Sequence, residues 1–141
     1  MNRERVRLSR LRRLERIRGI AKQAAAGEAA EAEMTLARLR RLSDRTRQLA
    51  EGYAQLHELT DGAGLRLHAC FAVQLNTLTD RTARDAAAAQ GVADGKQALL
   101  ATAERSRAAV EDRADRQARS LARPAYEAAL GSRSGLGTEL D

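Results

Sequence analysis

Residues that could carry acid–base, nucleophilic or metal chemistry are scarce in this sequence. His57, His68 and Cys70 are the only candidates for a base, a thiol nucleophile or a soft metal ligand. Their spacing matches neither a zinc site nor a histidine–acid–nucleophile set. We interpret the histidines as residues that flank a turn, and the cysteine as a small residue at a buried edge. The sequence therefore predicts a protein that is not an enzyme and has no metal or cofactor.

Nucleotide and calcium motifs are absent as well. The sequence contains neither GxxxxGK[ST] nor GxGxxG, and the turn around Asp61 is too short for a calcium loop. A lone cysteine excludes an internal disulfide. Because there is no apolar run long enough to span a membrane and no secretory signal pattern, we expect a cytoplasmic protein.

The composition favours helices over a thick globular core. Aromatic residues make up only 2% of the 141 residues, charged residues make up 31%, and much of the apolar share is alanine. A narrow seam between long helices can be closed by leucine and alanine, whereas a thick core needs larger side chains. Pro124 is the single proline, so nothing but glycine interrupts a helix before it.

Two apolar repeats surround one turn signal. Thr60, Asp61 and the glycines Gly62 and Gly64 cluster between the repeats, as in a hairpin turn. Steps of three and four residues on both sides predict heptad seams. The predicted seam before the turn comprises Arg18, Ala21, Ala25, Glu28, Ala32, Thr35, Leu39, Leu42, Thr46, Leu49, Tyr53, Leu56 and Thr60. The predicted seam after it comprises Phe71, Leu75, Leu78, Thr82, Asp85, Ala89, Val92, Lys96, Leu99, Ala103, Ser106, Val110 and Arg113.

The two seams fit each other in an antiparallel hairpin centred on Gly62. Tyr53 then faces Phe71, and Lys96 faces Glu28, so a charged seam residue meets an acid. The fold class predicted is all-α: an antiparallel two-helix coiled-coil hairpin with a disordered C-terminal tail. Its predicted parts are helix 1 over 1–59, a turn over 60–64, helix 2 over 65–123, and a short helical turn with the tail over 124–141.

One pair does not fit this register. The carboxylate of Asp85 falls opposite Leu39. The sequence offers no reason for a charge to face a leucine inside a seam.

The positive charge is concentrated at one end. Residues 1–22 carry nine basic side chains against Glu4 and Glu15, whereas the formal charge of the remaining chain is −1. The basic residues are Arg3, Arg5, Arg7, Arg10, Arg12, Arg13, Arg16, Arg18 and Lys22. Whatever this charge does, it does at one end of the sequence.

Four interpretations of the basic end remain open. It could be a solvated helix face, bind nucleic acid, lie on a membrane surface, or dock on an acidic protein. A basic helix that reads DNA normally leads into a parallel zipper, whereas this chain folds back on itself. A membrane-surface helix would need Leu11 and Leu14, which the seam also needs. Docking on a protein is the interpretation we favour, through arginine forks on carboxylates.

The whole pattern resembles the flagellar type III export protein FliJ family. The resemblance rests on the opening RLSRLRRLERIR, the run AAAGEAAEAEMTLARLRRL, Tyr53 late in helix 1, and QLNTLTDR shortly after Phe71. It extends from about residue 5 to residue 123. It implies a non-enzymatic adaptor that links the export ATPase ring to the cytoplasmic domain of the export gate and to export chaperones. Neither a small molecule nor nucleic acid is implied, and association with the inner face of the cell membrane would occur through partners.

The resemblance also implies two contact regions. The ATPase-binding region would be the basic end, with Arg3, Arg5, Arg7, Arg10, Arg12, Arg13, Arg16 and Arg18. The export-gate-binding residues would be Leu42, Leu49, Tyr53, Phe71, Leu75 and Leu78. All six also lie on the predicted seams, so simple seam packing is the competing interpretation. A generic coiled-coil scaffold, or a nucleic-acid-binding helical protein, is the alternative function.

Overall fold

The computed structural model describes residues 2–55 and 61–134. Two helices make up this part of the chain: α1 (Asn2–Ala54) and α2 (Gly62–Ser134). The helices pack against each other and no strand accompanies them in the described ranges. The predicted all-α, two-helix coiled-coil hairpin is confirmed.

The chain divides into two compact units. Unit 1 combines Met1–Ala25 with Leu100–Asp141, and unit 2 is Ala26–Leu99. Each unit therefore contains a stretch of α1 and a stretch of α2.

A capping aspartate begins α2 earlier than the predicted start at residue 65. The side chain of Asp61 accepts a hydrogen bond from the backbone N–H of Gly64 at 2.6 Å, and its carbonyl accepts one from Leu65 at 3.2 Å. The first bond satisfies an N–H group that has no partner within the helix, and the second is the first i→i−4 bond of α2. Gly62 and Gly64 are thus helical rather than part of the turn. Thr60 and the predicted end of helix 1 at residue 59 lie outside the described residues.

Pro124 does not end α2. The sequence predicts a break there, but the helix continues to Ser134 with Pro124 inside it. Arg123 and Glu127 form an ion pair at 3.1 Å on either side of the proline. Proline removes one backbone donor but fixes φ near a helical value, so a helix can pass through it at a cost. Residues 135–141, most of the predicted disordered tail, lie outside the described residues.

The seam of unit 2 is built mainly from small side chains. Its members are buried or half-buried, and the fully buried leucine is Leu36. On α1 they are Ala29, Ala32, Leu36, Leu39, Ser43, Thr46, Ala50 and Tyr53; on α2 they are His68, Ala72, Leu75, Thr79, Thr82, Ala86, Ala89, Ala93 and Lys96. The hydroxyls of Thr46 and Thr82 bond to carbonyls of their own helices at 2.7 and 3.0 Å. Such bonds let a threonine occupy a seam without an unsatisfied polar group.

One of the two predicted seam positions in each heptad is wrong in unit 2. Leu39, Thr46 and Tyr53 lie in the seam as predicted, as do Leu75, Thr82 and Ala89, but the alternate position is shifted by one residue. The residues that the structure places there instead are Ala29, Leu36, Ser43 and Ala50 on α1, and Ala72, Thr79, Ala86 and Ala93 on α2. The displaced residues are Glu28, Thr35, Leu42 and Leu49, and Phe71, Leu78, Asp85 and Val92, all exposed.

Charge explains why the shifted seam is the better one. The predicted seam would bury the carboxylate of Asp85 against Leu39, whereas the observed seam contains Ala86 and leaves Asp85 in solvent. Burying an unpaired carboxylate costs far more than the apolar area gained by a larger neighbour. The mismatch found in the sequence is therefore absent from the structure.

Unit 1 also has a seam with steps of three and four residues, which alternate regularly on α2 but not on α1, where Glu15 and Gly19 are four residues apart after another step of four. On α1 its half-buried residues are Leu8, Leu11, Glu15, Gly19, Lys22 and Ala25. On α2 its residues are Leu100, Ala103, Arg107, Val110, Ala114, Gln117 and Leu121, all buried or half-buried. Of the predicted seam residues, Arg18, Ala21 and Arg113 are exposed in unit 1, as is Leu99 at the end of unit 2.

Two contacts confirm the predicted alignment of the helices. The rings of Tyr53 and Phe71 meet edge to face with centroids 4.7 Å apart. The ammonium of Lys96 donates to the carboxylate of Glu28 at 3.0 Å. The second contact lets a lysine occupy the seam, because its aliphatic stem packs while its charge meets an acid at the edge.

Replacing Ala93 by leucine tests the observed seam. Ala93 is fully buried, so Ala93→Leu should overpack the seam and lower the free energy of unfolding by about 1–3 kcal/mol. The matched control is Ala88→Leu, because Ala88 is exposed on the same helix and its replacement should change stability by less than about 0.5 kcal/mol. Urea denaturation followed by circular dichroism measures both. Equal stability of the two variants would contradict the shifted seam.

Charge reversal tests the alignment. Lys96→Glu should destabilise the hairpin, and adding Glu28→Lys should restore part of the loss. Because both side chains are partly exposed, the coupling energy should be about 0.2–1 kcal/mol, falling as salt is added. A double-mutant cycle measured by urea denaturation gives this energy. Strictly additive effects of the two substitutions would be incompatible with the pair.

Candidate protein-docking surfaces

The basic segment, residues 3–22 of α1, presents its arginines to solvent. All eight predicted ATPase-binding arginines are exposed, whereas Leu8, Leu11 and Glu15 turn toward the seam. This division follows from the helical period, because the residues between seam positions must face outward. The arginines therefore lie around the solvent-exposed side of α1.

Glu15 does not offset the neighbouring arginines. Its carboxylate is directed to Arg107 of α2, with 3.8 Å between the charged atoms. Arg107 also lies 3.9 Å from Glu111, and it packs beside Gly19, where a Cβ would lie 3.7 Å from its Nε. One of the two acids in the basic segment is thus held at the seam, which leaves the outward face strongly positive.

Arginines of α2 extend the positive surface in unit 1. A groove of about 480 Å³ lies between Arg7 and Leu11 on one side and Arg113 and Arg116 on the other. Arg116 is also paired with Asp112. Gln117 and Ser120 also line the groove, and Leu11 is its apolar residue. Guanidinium groups can bind carboxylates in a forked geometry. The groove therefore suits acidic side chains of a protein or peptide.

The six predicted gate-binding residues divide into two groups. Tyr53 and Leu75 are half-buried in the seam of unit 2. The other four, Leu42, Leu49, Phe71 and Leu78, are between 46% and 58% exposed. The seam passes through their small neighbours and leaves these four side chains about half exposed, although the ring of Phe71 also contacts Tyr53.

An aromatic cluster lies where α2 begins. The imidazole of His68 stacks on the ring of Tyr53 with centroids 4.4 Å apart, and the ring of Phe71 meets Tyr53 edge to face. The sequence analysis missed His68 as a seam residue, although its step of seven residues to Leu75 is a signal that could have found it. These ring contacts hold the side chain of Phe71 in place. They are packing contacts and do not form a catalytic arrangement.

The few chemically reactive residues do not assemble into a site. Cys70 is exposed, which corrects its predicted place at a buried edge. His57 lies outside the described residues. Among the residues that the structure describes, no cluster of His, Cys, Asp and Glu could hold a metal ion.

Sequence analysis also missed an extension of the exposed apolar surface. Val92 and Leu99 were assigned to the seam, but they are 56% and 58% exposed. They occupy the same heptad position as Phe71 and Leu78 on α2.

No helix within the described ranges is long and apolar enough to cross a membrane.

Comparisons with protein-family models, with curated proteins and with solved structures give no match to this chain.

Proposed function

We propose that this chain is a non-enzymatic coiled-coil adaptor of the flagellar type III export apparatus, and that its basic segment docks on an acidic surface of the export ATPase ring. The observation that carries the proposal is the exposure of all eight arginines between Arg3 and Arg18 on one helix. The resemblance to the FliJ family supplies the identity of the partner.

The charge distribution favours docking on a protein by electrostatic steering. A dense positive field accelerates encounter with an acidic partner and fixes its orientation, but it is screened beyond about 8 Å at physiological salt. Arginine forks then bind carboxylates in pairs of hydrogen bonds once contact is made. The groove beside Arg7 and Arg113 provides room for acidic side chains of the partner.

The exposed leucines near the start of α2 support a second contact, with the cytoplasmic domain of the export gate. Leu42, Leu49, Phe71 and Leu78 are exposed, whereas Tyr53 and Leu75 are half-buried in the seam. Export chaperones complete the proposed set of partners. Through these partners the cytoplasmic protein would lie at the inner face of the cell membrane.

Charge reversal of the basic segment tests ATPase docking. Replacing Arg10, Arg12, Arg13 and Arg16 by glutamate should lower affinity for the purified export ATPase by at least about tenfold, and remove any stimulation of ATP hydrolysis. Helicity should survive because Arg and Glu have similar helix propensities. Biolayer interferometry measures the affinity and circular dichroism the helicity.

A matched control reverses four exposed arginines of unit 2. Arg38, Arg66, Arg81 and Arg84 changed to glutamate alter the net charge equally, but should leave ATPase affinity within about threefold of the original. Equal losses in both variants would show that only net charge matters.

Tyr53→Ala with Phe71→Ala should weaken binding to the gate domain while leaving ATPase binding intact.

Duplex DNA separates the adaptor from a nucleic-acid-binding protein. A DNA-binding chain would show affinity that falls linearly with salt on logarithmic axes, with a slope set by the phosphates neutralised. Such binding by the purified chain, without capture of the export ATPase, would overturn the proposal.

A further inference from the structure

The seam of unit 2 has two different edges. Glu33, Arg40, Arg47, Asn76, Gln90 and Gln97 follow seam positions and form a polar flank. A hydrogen bond between Arg40 and Gln90 joins the two helices along it, and Gln90 also donates to Asp94 at 2.8 Å.

The opposite edge is apolar. In an antiparallel helix pair, residues that precede the shifted seam positions on both helices lie on the same side, away from the polar flank. We name this set the apolar flank: Leu42 and Leu49 on α1, and Phe71, Leu78, Val92 and Leu99 on α2. Their exposed fractions run from 46% to 58%. The charges at equivalent described positions are Asp85 and Glu28, and Glu28 is paired with Lys96.

We infer that the apolar flank is the interface for a second copy of this chain, in a four-helix bundle of two hairpins. Helices that contact one neighbour through a coiled-coil seam need two apolar positions per heptad, whereas helices inside a bundle need three. In unit 2 this third position is apolar at Leu42 and Leu49 on α1, and on α2 at every occurrence from Phe71 to Leu99 except Asp85. A two-fold axis sets one such flank against an identical one, so the second copy supplies the missing apolar surface.

The size of the core supports this occupant. The buried apolar core of unit 2 consists of Ala29, Leu36 and Ala93. Small structures with so little core commonly gain stability by oligomerisation. Six half-exposed side chains of roughly 150–200 Å² each would bury about 500 Å² per copy, near the lower limit for a specific interface. A weak dimer is therefore expected.

Charge permits the association. The sequence of unit 2 has nine basic and ten acidic side chains, so two copies meet there without net repulsion, whereas the excess positive charge belongs to unit 1. The inference does not depend on the proposed function, because it concerns the purified chain alone. Binding of the gate domain to Leu42 or Phe71 would compete with the dimer.

Sedimentation velocity of the full chain tests the interface. The 15.4 kDa chain should change from monomer to dimer as its concentration rises from about 1 μM to several hundred micromolar. Leu49→Glu with Leu78→Glu should keep it monomeric over that range. The matched control is Met34→Glu with Val73→Glu, which changes side chains of similar exposure, 55% and 65%, outside the apolar flank and should leave the dimer intact. Asp85→Leu should strengthen the dimer by at least about fivefold, since it removes the unpaired charge from the flank.

Three results would overturn the inference: a monomer at every concentration, equal effects of the flank and control variants, or a larger oligomer that does not stop at two copies. If the flank variant loses helicity, the melting temperature of the unchanged chain tests the dimer instead. This temperature rises with protein concentration if the chain dimerises and stays constant if the chain is a monomer. Reversal of Arg10, Arg12, Arg13 and Arg16 should leave the dimer unchanged. ATPase docking and self-association can therefore fail separately.

Discussion

The packing of small side chains between α1 and α2 is the constraint on which the rest of the structure depends. Ala29, Ala86 and Ala93 let the helices approach with little apolar area between them. The positions that these small residues occupy in the seam decide which neighbouring residues face outward. The leucines and Phe71 at the edge of unit 2 are exposed because alanine, serine and threonine occupy the positions beside them.

Desolvation of charge selects this seam over the alternative one residue away. Asp85 would be buried without a cation in the predicted seam, and it lies in solvent in the observed one. Lys96 remains in the seam because its ammonium reaches Glu28 at the edge. Arg107 does the same in unit 1 by reaching Glu15 and Glu111. Charged residues are tolerated between the helices where a long stem can carry the charge outward.

The two proposed docking surfaces differ in the physical interaction that they use. The basic segment belongs to unit 1 and acts by charge, so its contacts depend on salt and on arginine geometry. The apolar flank belongs to unit 2, whose charges nearly cancel, so its contacts depend on apolar area. A seam that contained the leucines would have buried them, and unit 2 would then have no exposed apolar flank.

The sequence by itself determined the fold class, the antiparallel alignment and the exposed basic segment, because these depend on composition, heptad spacing and local charge. The Tyr53–Phe71 and Lys96–Glu28 contacts were predicted in this way. Tertiary structure alone decided the seam. Two registers one residue apart have the same spacing of three and four, and the predicted repeat took Leu42 where the structure has Ser43 in the seam. The free-energy difference between the two seams depends on both helices, because the cost of burying Asp85 depends on which residues of the opposite helix face it.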